Sequence, residues 1–215
     1  MNIDYAWSTH VPLIKLLLSM FKPQFVLELG MGYYSTPLFL KYKSERMFIE
    51  NSQEWINEMG LNNENVLLHK TTVANQDIPI SGITIKEKDE IRKYYYELRE
   101  NIIQKREPRL LFVDNYSCCR ALAINILYRA FDLIIYHDCE PQSIARNNYI
   151  FEDDLTQNYA HYKLVTPRTW AGCFINRKLE YSDEILQMRI EPIIAEYCKE
   201  NNVEGIFLQK QQKPL

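Results

Sequence analysis

Phe25-Val26-Leu27-Glu28-Leu29-Gly30-Met31-Gly32-Tyr33-Tyr34-Ser35-Thr36-Pro37 is the stretch on which the fold turns. Phe25 to Leu29 is a short apolar run stopped by glycine, the signature of a buried strand. Ser35-Thr36-Pro37 opens a helix that continues through Leu38 to Tyr42, since proline is tolerated in a first helical turn. Between them, Gly30 and Gly32 allow a tight turn in which backbone N–H groups approach a ligand with no side chain intervening.

The same alternation extends outward in both directions. Upstream, Ser8 or Thr9 caps a helix running to Phe21, ahead of Pro23. Downstream, Met47-Phe48-Ile49 and Val66-Leu67-Leu68 read as strands, with a helix from Ser52 to Gly60 between them. Lys86 to Arg106 has a helical apolar stripe and reads as a surface helix over the sheet. Leu110 to Asp114 and Leu133 to Asp138 read as the fourth and fifth strands, separated by a helix over Ala121 to Ala130. The remainder predicts a helix from Ser143 to Asn158, strands at Tyr162–Val165 and Gly172–Ile175, a helix from Ile185 to Glu200 and a last strand at Gly205–Leu208. Strands alternating with helices imply an α/β fold, a mostly parallel Rossmann-like sheet covered on both faces. Ligands of such sheets lie beyond the carboxyl ends of the strands.

Length and composition fit this fold. At 215 residues, 47% of them apolar, the chain suits one domain: residues 1–22 as an N-terminal helical cover and 23–215 as the α/β core. The net charge of −3 argues against nucleic acid as the main partner. No apolar run approaches the roughly 20 residues of a membrane span, and the first ten residues lack the basic start of a secretory signal. Five cysteines without C-x-x-C spacing give neither a disulfide framework nor a zinc knuckle, so a cytoplasmic location is expected.

The acids at the strand ends carry the chemistry. A G-x-G-x-x-G dinucleotide loop would have glycine where Ser35 stands, and Glu28 beside the turn would repel a pyrophosphate. A carboxylate there suits a positively charged ligand, such as the amino and sulfonium groups of S-adenosylmethionine. Glu50 closes the second strand twenty residues beyond Gly30, where an acid accepts hydrogen bonds from ribose hydroxyls.

With Glu28, Gly30, Gly32 and Glu50 in these positions, the sequence resembles the class I S-adenosylmethionine-dependent methyltransferases. The resemblance spans about Phe25 to Ile175 and extends to Phe112-Val113-Asp114-Asn115 and Ile134-Ile135-Tyr136-His137-Asp138. Phe48-Ile49-Glu50-Asn51 followed by Trp55, and the His-Asp ending, are similar to sugar-directed O-methyltransferases of the glucuronoxylan 4-O-methyltransferase group. Two departures stand out: Tyr34 replaces a small residue of the loop, and Phe131-Asp132 replaces a Gly-Gly turn before the fifth strand.

The resemblance implies binding of S-adenosylmethionine, leaving S-adenosylhomocysteine, by Glu28, Gly30, Gly32, Tyr33, Ser35, Glu50, Asn51, Asp114 and Asn115, and methylation of a hydroxyl on a carbohydrate or another small molecule. A sugar hydroxyl needs a base: Asp138 is the first candidate, His137 the second, with Asp114 beside them. Strand alternation lets only one of His137 and Asp138 face the cleft; a helix-capping Asp138 and a buried structural His137 are the plain alternatives. Asp114 and Asp138 are oxygen donors of the kind a divalent cation takes, but two acids do not assign a metal. Arg120 either meets an acidic acceptor such as a uronate or is an exposed helix residue. Tyr5, Trp7 and His10 fall in a segment that folds over the cofactor in this family; no role is assigned to them. Monomer and homodimer both fit. The competing readings are an NAD-dependent oxidoreductase and a non-catalytic cofactor-binding module.

Overall fold

A computed structural model describes residues 5–61, 66–68, 83–115, 117–143 and 149–211. In chain order the elements are α1 (Val11–Phe21), β1 (Phe25–Leu29), α2 (Thr36–Lys41), β2 (Glu45–Glu50), α3 (Gln53–Glu58), β3 (Val66–Leu68), α4 (Ile85–Ile102), β4 (Arg109–Val113), α5 (Ser117–Leu127), β5 (Leu133–Tyr136), α6 (Asp153–Asn158), β6 (Tyr159–Val165), β7 (Ala171–Asn176), α7 (Asp183–Asn201) and β8 (Phe207–Lys210). Local chemistry sets many boundaries. Thr84 and Glu87 form a reciprocal capping box at the start of α4. Ser52 caps α3 through Trp55 N, and Ser182 caps α7 through Ile185 N. Of the helix expected over Ser143 to Asn158, Ser143 and α6 are helical, residues 149–152 are not, and residues 144–148 lie outside those described.

One eight-stranded sheet runs in the order β3-β2-β1-β4-β5-β7-β6-β8. β1 to β5 are mutually parallel, β7 is antiparallel to both β5 and β6, and β8 is antiparallel to β6. The order reverses between β1 and β4, so the connections that leave their carboxyl ends part to opposite faces and open a crevice. This is the expected Rossmann-like α/β architecture.

Alternation along the strands sorts two apolar layers. Phe25, Leu27, Leu29, Leu111 and Val113 pack with α4 and α5, while Val26, Phe48, Leu110 and Phe112 pack with α1 and α7. α1, in the segment expected as a cover, contributes Leu13, Ile14, Leu16 and Leu17 to the second layer, all fully buried. By parity, Glu28, Glu50 and Asp114 project on this same side.

At the opposite end of the strands, Asp132 gives the Phe131-Asp132 pair before β5 a structural role. Its buried carboxylate accepts from Arg109 N at 2.7 Å and pairs with Lys178 at 2.6 Å, tying the starts of β4 and β5 together.

Candidate functional site

The site begins at Gly30, whose φ of 83° is one that side chains rarely tolerate. A Cβ there would lie 2.6 Å from Asn115 N and from Asp114 O, so the glycine lets the end of β1 touch the end of β4. Three successive N–H groups of the turn are engaged internally: Gly30 N to Ile49 O at 2.9 Å, Met31 N to Glu50 Oε2 at 2.9 Å, and Gly32 N to Thr36 Oγ1 at 2.9 Å. Such a turn does not offer these N–H groups to a phosphate.

Glu28 lies wholly buried beneath the turn, with Ser35 Oγ donating to its Oε1 at 2.5 Å and Thr36 a second hydroxyl partner. Its Oε2 has no hydrogen-bond partner among the described residues. Burial, opposed by those two hydroxyls, pushes the carboxyl up to about 8. The anionic Glu28 expected from the sequence is thus a neutral acid at pH 7 in the ligand-free protein, because the turn above it excludes water and supplies no cation. Glu50 accepts from three backbone N–H groups, Met31 and, on Oε1, Asn51 at 2.7 Å and Ser52 at 3.0 Å. A carboxylate has about four lone-pair sites, which leaves one on Oε2 for a ligand hydroxyl. Tyr33 meets Trp55 edge-on at 4.8 Å and donates to Glu58, while Trp55 Nε1 donates to Met31 O at 2.6 Å. The two rings form an aromatic wall on the β2 side of the turn.

Across the crevice a second cluster gathers at the ends of β4 and β5. Arg120, on α5 and nearly buried, pairs with Asp114 at 2.8 Å and Asp138 at 2.6 Å. It also donates to Asn115 O at 2.7 Å and His137 O at 3.3 Å. This corrects both sequence readings of Arg120: it is neither an exposed helix residue nor available to an acidic acceptor. His137 Nδ1 stands 3.4 Å from Asp114 Oδ1 and 3.5 Å from Asp138 Oδ1. The expectation that only one of His137 and Asp138 faces the site also fails. β5 ends at Tyr136, so alternation no longer governs them, and Asp138 takes a left-handed φ of 55° that returns its carboxylate toward Arg120. Burial works against charge on His137, but Asp114 and then Asp138 prevail and raise it. Burial likewise opposes ionisation of Asp114, yet His137 and Arg120 hold its carboxyl down to about 2. Asn115 donates to Tyr95 Oη at 2.8 Å, and its buried Oδ1 has no partner among the described residues.

The sequence assigned no role to His10, which precedes α1 and closes this cluster from above. Its ring packs 4.8 Å from Phe112 and meets His137 edge-on at 4.9 Å. Neither ring nitrogen has a partner among the described residues. Burial first, then His137, push its imidazole down to about 3. Thr9 supports the same corner: its Oγ1 lies 2.9 Å from His137 Nε2 and 3.1 Å from Thr169 Oγ1. Cys139, next to Asp138, is buried and pushed up to about 12 by that burial, so it packs and does not react.

No family model matches the chain, nor does any curated protein. Solved structures do. An O-methyltransferase from Bacillus cereus in complex with SAH aligns over 78% of this chain and 81% of its own, at 14% identity and a TM-score of 0.46. A methyltransferase-like protein from Silicibacter pomeroyi aligns over 86% and 93%, at 12% identity and TM-score 0.48. The N-methyltransferase NodS from Bradyrhizobium japonicum WM9 aligns over 82% and 99%, at 11% identity and TM-score 0.46. Among the described residues, no helix is long and apolar enough to cross a membrane.

Proposed function

We propose that this chain is an S-adenosylmethionine-dependent methyltransferase acting on a hydroxyl of a small molecule. The observation that carries the reading is the turn at the β1/β4 switch point. Its first three N–H groups are engaged within the protein, and the acids around it are Glu28, Glu50 and Asp114. That lining disfavours the diphosphate of a dinucleotide and favours a cationic nucleoside. The unpartnered buried Glu28 Oε2 and Asn115 Oδ1 are two polar atoms still to be satisfied, as a ligand bearing an ammonium group would do.

Glu28 and Asn115 would hold the amino-acid end, Glu50 the ribose, and the Tyr33–Trp55 wall the adenine. When bound, the cofactor supplies a methyl group already activated as a sulfonium. The protein then has to align an acceptor and remove its proton. In this cluster Asp138 Oδ2 is engaged by Arg120, so the proton passes to the unprotonated form of His137. Asp114, at 3.4 Å from Nδ1, stabilises the imidazolium that results. With the guanidinium of Arg120 committed to Asp114 and Asp138, the acceptor is an uncharged hydroxyl compound, a sugar included, and not a uronate.

Calorimetric titration with S-adenosylhomocysteine and with NAD tests the cofactor. Binding of the first alone is expected, and binding of NAD in its place would overturn the reading. Labelled methyl donor with a panel of neutral sugars, phenols and uronates tests the reaction. A protein that binds S-adenosylhomocysteine yet labels no acceptor is a binding module and not an enzyme.

A further inference from the structure

We infer that His10, Asp114 and His137 form a binding site for one divalent transition-metal ion. Three elements far apart in sequence, the start of α1 and the ends of β4 and β5, bring one ligand atom from each residue within 4.8 Å of one another. Around an ion held at about 2.0–2.2 Å, ligand atoms stand about 3 to 4.3 Å apart. Small rotations of the side chains therefore close the set, and one pair, His137 Nδ1 and Asp114 Oδ1, is already 3.4 Å apart.

A second, independent observation points the same way. His10 is 2% exposed, yet neither of its ring nitrogens has a hydrogen-bond partner among the described residues. A buried imidazole normally finds at least one. A metal ion between His10 and His137 supplies the missing partner, while packing against Phe112 alone does not.

The surroundings match what ligating side chains require. A ligating histidine usually donates its other N–H to a nearby acceptor, which sets the tautomer. Thr9 Oγ1 stands 2.9 Å from His137 Nε2, leaving the Nδ1 lone pair toward Asp114 and Asp138. Arg120 pairs at 2.8 Å with Asp114 Oδ1, the same oxygen that faces His137, and orients the carboxylate. Side-chain exposure of 23% at Asp114 and 32% at Asp138 opens one side of the cluster to solvent, through which an ion enters and where waters complete its coordination. Two imidazoles and one carboxylate select zinc, cobalt, iron or nickel over magnesium and calcium, which prefer all-oxygen sites. A metal on His137 Nδ1 takes the place of a proton there, so in the loaded protein His137 is a ligand and not a base. The inference stands on these residues and does not depend on the methyltransferase reading.

The test uses the full chain, free of any histidine tag and stripped with a chelator. Titration with Co²⁺ is followed by visible absorption, and titration with Zn²⁺ and Mg²⁺ by calorimetry. One equivalent of Co²⁺ giving ligand-field bands, displaced by Zn²⁺ and untouched by equal Mg²⁺, is expected. His10→Phe keeps the ring against Phe112 and should weaken Co²⁺ at least about tenfold with an unchanged circular dichroism spectrum. His10→Gln provides the same comparison should His10→Phe fail to fold. Wild-type protein that binds no Co²⁺ or Zn²⁺ stoichiometrically overturns the proposal, as does a folded His10 variant that binds them as tightly as wild type. Mg²⁺ competing on equal terms overturns the nitrogen ligands.

Discussion

Replacing Glu28 by glutamine isolates the buried acid beneath the glycine turn. The side chain keeps its shape and still accepts from Ser35, but it can no longer lose a proton. In the wild type the unfolded chain releases this proton near pH 4.5 and the folded chain near 8. Between those values the folded state holds one proton more, so stability falls as pH rises through the window, by about 1.4 kcal/mol per pH unit from this group. Across the window the loss is on the order of 5 kcal/mol. Urea melts of wild type and Glu28→Gln at intervals from pH 5 to 9 should therefore diverge, with the variant gaining relative stability as pH rises. The same acid predicts proton release on ligand binding. If the ammonium group of S-adenosylhomocysteine draws Glu28 into its ionised form at pH 7, about 0.9 of a proton leaves, given the folded value of about 8. Calorimetry in two buffers of different ionisation enthalpy counts that proton. Parallel melts for the two proteins, or binding with no proton released and undiminished in Glu28→Gln, would refute the reasoning.

Other substitutions probe separate parts of the site. Gly30→Ala places a Cβ against the backbone of Asp114 and Asn115, so it should lower stability by about 1–3 kcal/mol and abolish S-adenosylhomocysteine binding; chemical denaturation and calorimetry measure both. Arg120→Met leaves Asp114 and Asp138 facing each other without their shared cation, for a loss of about 3–5 kcal/mol visible in the denaturation midpoint. His137→Gln should leave S-adenosylhomocysteine affinity in place while cutting turnover of an identified acceptor about 10²- to 10⁴-fold in metal-free buffer. At the end of β5, a Cβ on Gly172 would meet the ring of Tyr136 at 2.2 Å, so Gly172→Ala should cost about 1–3 kcal/mol in the denaturation midpoint.

Much of this architecture was legible in the residues themselves. Apolar runs of three to five residues ending in Gly30, Glu50, Asp114 and His137 marked parallel strands, because strands buried on both faces carry little else. Glu50 and Asp114 were legible as acids closing strands, and Glu28 as the acid beside the turn; that the three share a side is set by the register of β1 with β2 and β4. His10 was not legible: it belongs to no motif, and only the packing of α1 against the sheet carries it over Phe112. Arg120 was misread on its charge: it stands three, four and seven residues before the buried Ala123, Ile124 and Leu127, and what lets a guanidinium sit on that face is the pair of acids, Asp114 and Asp138, brought to it by two loops that no local pattern encodes. The inward turn of Asp138 depends on one left-handed φ at a residue that is not glycine, which composition does not announce.

Ser8 Oγ lies 2.7 Å from Tyr197 Oη, a bond between residues 189 apart in the chain. Together with Thr9 on Thr169, it fastens the segment before α1 to stretches translated well after it. On the ribosome, residues 8 and 9 must wait for Thr169 and Tyr197 before these bonds can close. Contacts this distant in sequence form slowly. Assembly of the cluster therefore belongs to the end of folding, and a chain stalled before α7 would present an open, incomplete crevice.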